Sequence, residues 1–231
     1  MIPTSKAFRP PTDWETVFAS TPASSFFGRE QSAIAASAFR YLRAFGNDPA
    51  QCVALDLGSG EGRDTVFLAA NGMRVVSRDL APSGIEKTRV MLDKAGVPKD
   101  RVDLGVVDAR QYGYPENTFD LAMAANVFQF LPHHDAVDCI HKLQLTARPG
   151  GIVAVGVFSP AMEAWGTDLS GFFVATADEL LKFFPLQDGW TICDRTEYWT
   201  LRVDNDTMGS FAFVVARKPL SSSQENLTSD V

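Results

Sequence analysis

Three aspartates and one glycine loop carry the chemistry that this sequence offers. Val53-Ala54-Leu55-Asp56-Leu57 is an apolar run that takes in an acid, and Gly58-Ser59-Gly60-Glu61-Gly62 follows it directly. Asp79 and Asp108 each close a further apolar run downstream. Glycine tolerates positive φ and has no Cβ, so a ligand can lie against the main chain of such a loop. Acids at strand ends beside that loop suit the hydroxyl and amino groups of a ligand. Asp56 is placed to face an amino group, directly or through water.

Two ligand classes compete for the loop. A dinucleotide site uses Gly-x-Gly-x-x-Gly, with the third glycine packing helix against strand. Here the third glycine, Gly62, comes one residue early and Arg63 stands where it should be. The charge of Glu61 would also be unfavourable beside a pyrophosphate. An adenosyl-methionine site has no phosphate to cradle. It needs backbone contact to the amino-acid part, an acid for the ribose and a polar contact to adenine. Gly58 to Gly62, Asp79 and the pair Asp108-Ala109 supply these in order.

The elements that must position these residues follow from periodicity. Ile34, Ala35, Ala38, Phe39, Leu42 and Phe45 recur at helical spacing, which predicts an amphipathic helix over about Ser32 to Phe45. Strands are expected at Cys52 to Leu57, Arg74 to Arg78, Val102 to Val107, Phe119 to Ala125 and Ile152 to Phe158. Helices are expected at Arg63 to Ala70, Ala81 to Gly96 and His133 to Thr146. Arg148-Pro149-Gly150-Gly151 reads as a helix stop and tight turn. Ser159 to Ala175 is irregular and aromatic, long enough to suggest a lid. A helix at Asp178 to Phe184 and strands at Trp190 to Leu201 and Ser210 to Lys218 close the chain. Strands alternating with helices give an α/β fold, a doubly wound Rossmann-like three-layer sandwich. Its seven-stranded sheet should be mostly parallel, with the last strand antiparallel. Residues 1–48 are expected to form a lead-in and cap helices, 49–219 the ligand-binding domain and 220–231 a disordered tail.

Composition narrows the classes. The chain has 231 residues, 45% hydrophobic and 21% charged, as a globular domain does. Its net charge of −7 argues against a nucleic-acid partner. No signal peptide and no membrane-length apolar run is visible, which predicts a cytoplasmic protein. Cys52, Cys139 and Cys193 lack metal-ligand spacing, so no metal site is expected and the thiols should be free.

The ordered motifs resemble those of class I S-adenosylmethionine-dependent methyltransferases. Leu55 to Gly62 is similar to the first motif of that family, and Val75 to Pro82 to its second, with Asp79 on the ribose and Leu80 beside it. Val107-Asp108-Ala109-Arg110 is similar to the adenine-contacting motif, and Arg148 to Gly151 to the turn before strand five. Gly60 to Asp64 with Phe67-Leu68-Ala69 resembles the tellurite-resistance and thiol or thiopurine methyltransferase branch. Trp14 and Phe27-Gly28-Arg29-Glu30 are a fainter likeness to that branch, implying a cap over the cofactor. The resemblance implies S-adenosylmethionine held by Asp56, Gly58, Ser59, Gly60, Asp79, Leu80, Asp108, Ala109 and Asn126. It implies methyl transfer by direct displacement to a small molecule, whose acceptor is a thiol, a hydroxyl or a metalloid or chalcogen oxyanion. Trp14, Phe27 and Phe128 are candidates to contact that acceptor, and His133 is the candidate general base. An NAD(P)-binding oxidoreductase and a non-catalytic adenosylmethionine-binding protein are the alternatives. The oligomeric state is not legible.

Overall fold

The computed structural model describes residues 11, 13–21, 25, 28–201 and 208–221. In chain order these form α1 (Trp14–Ser20), α2 (Ala33–Ala44), β1 (Val53–Leu57), α3 (Arg63–Ala70), β2 (Arg74–Asp79), α4 (Pro82–Lys94) and β3 (Val102–Val106). There follow β4 (Phe119–Ala125), α5 (His133–Thr146), β5 (Ala147–Phe158), α6 (Ala177–Leu181), β6 (Thr191–Leu201) and β7 (Met208–Arg217). Phe27, one of the three acceptor candidates, lies outside the described residues, as do most of the N-terminal lead-in and the C-terminal tail.

Local chemistry fixes the helix ends. Ser32 caps α2 by accepting from the Ala35 N–H, and Gly46, at φ +83°, follows its C-terminus. Pro82 opens α4 at a position whose N–H has no intrahelical partner. Thr176 and Glu179 form a reciprocal capping box on α6.

All of the strands join one sheet in the order β3-β2-β1-β4-β5-β7-β6. Only β7 runs antiparallel to its neighbours, β5 and β6. β1 pairs in parallel with β2 on one side and β4 on the other. The strand order therefore reverses at β1 and β4, and a crevice opens beyond their carboxyl ends.

Alternate residues of each strand feed two cores. Leu121 and Met123 pack on one face with Ile34, Leu42, Leu68 and Leu92 from α2, α3 and α4. Leu55, Leu57 and Ala122 pack on the other with Ile140, Leu143 and Leu180 from α5 and α6. Each of these leucine, isoleucine and methionine side chains contributes roughly 1.5–3 kcal/mol on burial. β4 is buried at every position but its last, as a central strand covered on both faces must be.

Two expectations need correction. Arg148 to Gly151 is not a turn ahead of β5 but part of it. Phe119 pairs with Ala147 and Leu121 with Ile152, so the four residues bulge out of register, with Gly150 at φ +78°. Residues 159–175 are not a lid. Met162, Leu169 and Phe173 are buried, and the Phe173 and Ala175 N–H groups donate to the Gln129 and Phe158 carbonyls. Apolar side chains turn this segment inward as a plug against the ends of β5 and β7. No helix among the described residues is long and apolar enough to cross a membrane.

Candidate functional site

A cavity of about 330 Å³ occupies the crevice beyond β1, β2 and β4. The glycine loop forms its floor. The Gly58 and Ser59 N–H groups donate to the Arg78 carbonyl at 2.6 and 3.0 Å, which ties the loop to β2. Gly58 has φ +73°, and a Cβ there would stand 2.0 Å from Val127 Cγ2. Gly62 has φ +83° and would meet Thr88 at 2.4 Å. Both positions therefore require glycine, for backbone conformation and for space.

Asp79 is anchored to the main chain through both of its oxygens. Its Oδ2 accepts from the Gly60 N–H at 2.7 Å and its Oδ1 from the Ala81 N–H at 2.8 Å. Each oxygen keeps a lone pair for a ligand. Burial raises its pKa, while those two backbone donors pull the other way. Asp108 sits beyond β3, where Arg110 grips it through Nε at 3.0 Å and through its own backbone N–H at 2.9 Å. That grip holds the Asp108 carboxyl below its usual range. Leu80 stands beside Asp79 on the same wall, 65% exposed, an aliphatic surface offered to a planar ring.

Asp56 is buried, and Thr65 Oγ1 donates to its Oδ2 at 2.6 Å. Burial first, then the charge of Asp64, pushes its carboxyl up to about 7. An unfolded aspartate ionises near pH 4, so between pH 4 and 7 the folded state holds the extra proton. Its contribution to stability thus falls as pH rises through that window and is level above it. Asp56→Asn should raise the ligand-free melting temperature at pH 8, by an effect of order 1–3 kcal/mol, and change it little at pH 5. Calorimetry of both proteins at the two pH values reads this directly; an equal shift at both would contradict the assignment.

The cavity's cover comes from α1. Glu15 accepts from the Ser83 N–H at 2.9 Å and from Ser83 Oγ at 2.6 Å, docking α1 on the start of α4. Trp14 and Phe18, one turn apart, reach over the loop with ring centroids 5.4 Å apart. Trp14 meets Phe130 edge-on at 5.3 Å, closing an aromatic corner. Below it, Glu61 lines the cavity with both of its oxygens engaged. Its Oε1 lies 2.5 Å from Lys87 Nζ, and Ser25 Oγ donates to its Oε2 at 2.8 Å. Lys87 thus neutralises Glu61, and the Glu61 argument against a pyrophosphate loses its force; the early position of Gly62 does not.

Asp56, Gly58, Ser59, Gly60, Asp79, Leu80, Asp108, Ala109, Asn126 and Trp14 all stand on this wall. Phe128 does not. It is wholly buried in the core beneath α5, so its expected role at the acceptor is corrected to packing. The 3₁₀ turn Phe128–Phe130 sends one ring inward and the other, Phe130, to the cavity. His133 begins α5 exposed, edge-on to Phe173 at 5.2 Å, and is not among the wall residues. Phe18, Val127 and Leu131 are wall residues that the sequence did not single out. The i, i+4 spacing of Trp14 and Phe18 was the available signal for Phe18.

Residues 54–151 match the family model described as a methyltransferase domain. Over this stretch, which holds the glycine loop, Asp79 and Asp108, the chain is similar to methyltransferases. It is 31% identical over 105 residues to 27-O-demethylrifamycin SV methyltransferase of Amycolatopsis mediterranei, covering 45% of this chain and 38% of that protein. Among solved structures it is similar to magnesium protoporphyrin IX methyltransferase of Synechocystis with bound SAH, at TM-score 0.62 and 18% identity, over 80% and 81% of the two chains. It is also similar to TehB of Haemophilus influenzae, at TM-score 0.63 and 19% identity, over 89% and 67%. The chain spans about a third to just over half the length of the curated relatives it matches.

The residues present fit S-adenosylmethionine, the cofactor that the resemblance implies. Ser59 Oγ and Asn126 Oδ1 are buried on the wall with no hydrogen-bond partner among the described residues. Such atoms are costly unless a ligand or water completes them. Asn126 also has φ +60°, a conformation that asparagine tolerates better than most residues, and its N–H is fixed to the Gly156 carbonyl at 2.9 Å.

Proposed function

We propose that this chain is a methyltransferase that binds S-adenosylmethionine in the β1–β4 crevice and transfers its methyl group to a small-molecule acceptor. The observation that carries this reading is Asp79, held by the Gly60 and Ala81 N–H groups with acceptor capacity left on both oxygens. In this reading Asp79 takes the ribose hydroxyls, and Leu80, Asp108 and Ala109 hold the adenine. Asp56 takes the amino group, and the main chain from Gly58 to Gly60 supports the amino-acid part. Residues 49–219 act as the catalytic domain and α1 as its cover.

Bound there, the cofactor supplies an electrophilic methyl group on a sulfonium, which a nucleophile takes by direct displacement. The chain's task is to hold the acceptor in line and keep water out. Trp14, Phe18 and Phe130 exclude water at the acceptor side. Thiols, hydroxyls and metalloid or chalcogen oxyanions are the acceptor classes carried over from the sequence.

Calorimetric titration with S-adenosylmethionine and, separately, with NAD+ tests the reading. Saturable binding of the first in the micromolar range, and none of the second, is the expected result. Heat from NAD+ alone would support an oxidoreductase instead. Cofactor binding without turnover on any acceptor would support a non-catalytic binding protein. His133→Ala should leave kcat/KM within twofold, because the imidazole stands outside the wall; a larger loss on a hydroxyl acceptor would restore it as a base.

A further inference from the structure

Asp56 stands on the cavity wall with only 1% of its surface exposed. Thr65 Oγ1, itself 2.9 Å from Ser77 Oγ, donates to its Oδ2 at 2.6 Å. Its Oδ1 has no hydrogen-bond partner among the described residues. The charges around it are mostly of its own sign. α3 brings Asp64 and β2 brings Asp79. Asp64 is buried too, and both of its oxygens are engaged, by the Ser32 N–H at 2.6 Å and by Ser32 Oγ at 2.7 Å. β4, on the other flank, sets Met123 beside Asp56. Arg63, at the start of α3, acts in the opposite sense, and its influence is the weakest of these.

A buried carboxylate with like charges beside it is costly to ionise. Burial and then the charge of Asp64 favour the protonated form, with Asp79 behind them, and the Thr65 hydroxyl opposes. No Lys or Arg among the described residues hydrogen-bonds to Asp56. The ammonium of the donor is the counterion that the wall does not supply. Placed beside Asp56, it favours the carboxylate over the acid.

We propose that the site exchanges a proton for the donor's ammonium: binding of S-adenosylmethionine expels the Asp56 proton to solvent, so that acid weakens the donor. This rests on the methyl-transfer reading, in which Asp56 takes the amino group. The sign follows from linkage. Below about pH 7 the free chain holds a proton that the complex lacks, so observed affinity falls by up to about tenfold per pH unit. Above that range the free chain is already ionised, and affinity is level. S-adenosylhomocysteine carries the same ammonium, so acid weakens donor and product alike and leaves the balance between them unchanged. Acidification therefore slows turnover at limiting donor without deepening inhibition by product.

The test is calorimetric titration of the full chain at pH 7.5 and pH 5.5, with thermal melts alongside to show that it is folded at both. The ligands are S-adenosylhomocysteine and 5′-methylthioadenosine, which has the same adenine and ribose but no amino-acid part. Affinity for S-adenosylhomocysteine should fall at least tenfold at the lower pH, and that for methylthioadenosine less than threefold. Asp79 and Asp108 act on both ligands, so the difference reports the amino-acid end. In buffers of different ionisation enthalpy, S-adenosylhomocysteine should release close to one proton at pH 5.5 and less than half of one at pH 7.5. Asp56→Asn should bind it more weakly at pH 7.5 and vary less than threefold between the two pH values. Parallel behaviour of the two ligands, a level affinity for S-adenosylhomocysteine, or a variant that keeps the full pH dependence overturns the proposal. Failure of the unaltered chain to bind S-adenosylhomocysteine at either pH is a separate outcome: it removes the methyl-transfer reading, and the proposal with it.

Discussion

Gly58→Ala abolishes high-affinity cofactor binding and lowers the melting temperature by about 5–15 °C. The new Cβ would stand 2.0 Å from Val127 Cγ2 and 2.7 Å from Val127 Cγ1, so the turn after β4 must move. Alanine at φ +73° adds a backbone cost of about 1–2 kcal/mol to an overpacking cost of about 1–3 kcal/mol. The displaced segment also carries Asn126, so the floor and one wall of the cavity are lost together. Gly46→Ala is the control. Its φ is +83°, but nothing lies within 4 Å of its added Cβ, so it should cost about 1 kcal/mol and leave cofactor binding intact. Thermal melts and titrations of the two variants separate steric from backbone effects. Equal behaviour of the pair would mean that the close approach at Gly58 does not matter.

Asp79→Ala should weaken S-adenosylmethionine binding at least 100-fold while changing stability far less. Two charge-assisted hydrogen bonds to ribose hydroxyls are worth about 1.5–3 kcal/mol each. On the stability side two effects oppose one another. The variant loses the acceptors of the Gly60 and Ala81 N–H groups, but it also removes a buried carboxylate whose ionisation burial disfavours. Asp79→Asn keeps a neutral acceptor and should fall between the two. Titration calorimetry reads the affinity and a melt reads the fold; an affinity change under threefold would remove Asp79 from the ribose site.

Much of this architecture was legible because its signals are local. α3 over Arg63–Ala70, β4 over Phe119–Ala125 and α5 over His133–Thr146 have the bounds that periodicity and punctuation predict. Asp56, Asp79 and Asp108 converge because strands of one parallel sheet share a carboxyl end. What was not legible depends on tertiary placement. Phe128 and Phe130 are indistinguishable as sequence, and only the 3₁₀ turn decides which enters the core and which faces the cavity. Glu61 looked like a charge facing the ligand until Lys87, a helix away, was seen to pair with it. The role of α1 as the cover rests on Glu15 meeting Ser83 across a long separation, which no periodicity announces. The aromatic stretch after β5 suggested a lid by its length, yet buried Met162, Leu169 and Phe173 make it part of the core. The Asp56 titration likewise arises from burial and then from Asp64 and Asp79, all of them products of folding.

A crystal structure of the chain with S-adenosylhomocysteine tests the central claim most directly. The account predicts the ribose hydroxyls within hydrogen-bond distance of the Asp79 carboxylate, the adenine between Leu80 and Ala109, and the amino group toward Asp56. Ligand density elsewhere on the molecule, or a ribose turned away from Asp79 at full occupancy, would contradict it.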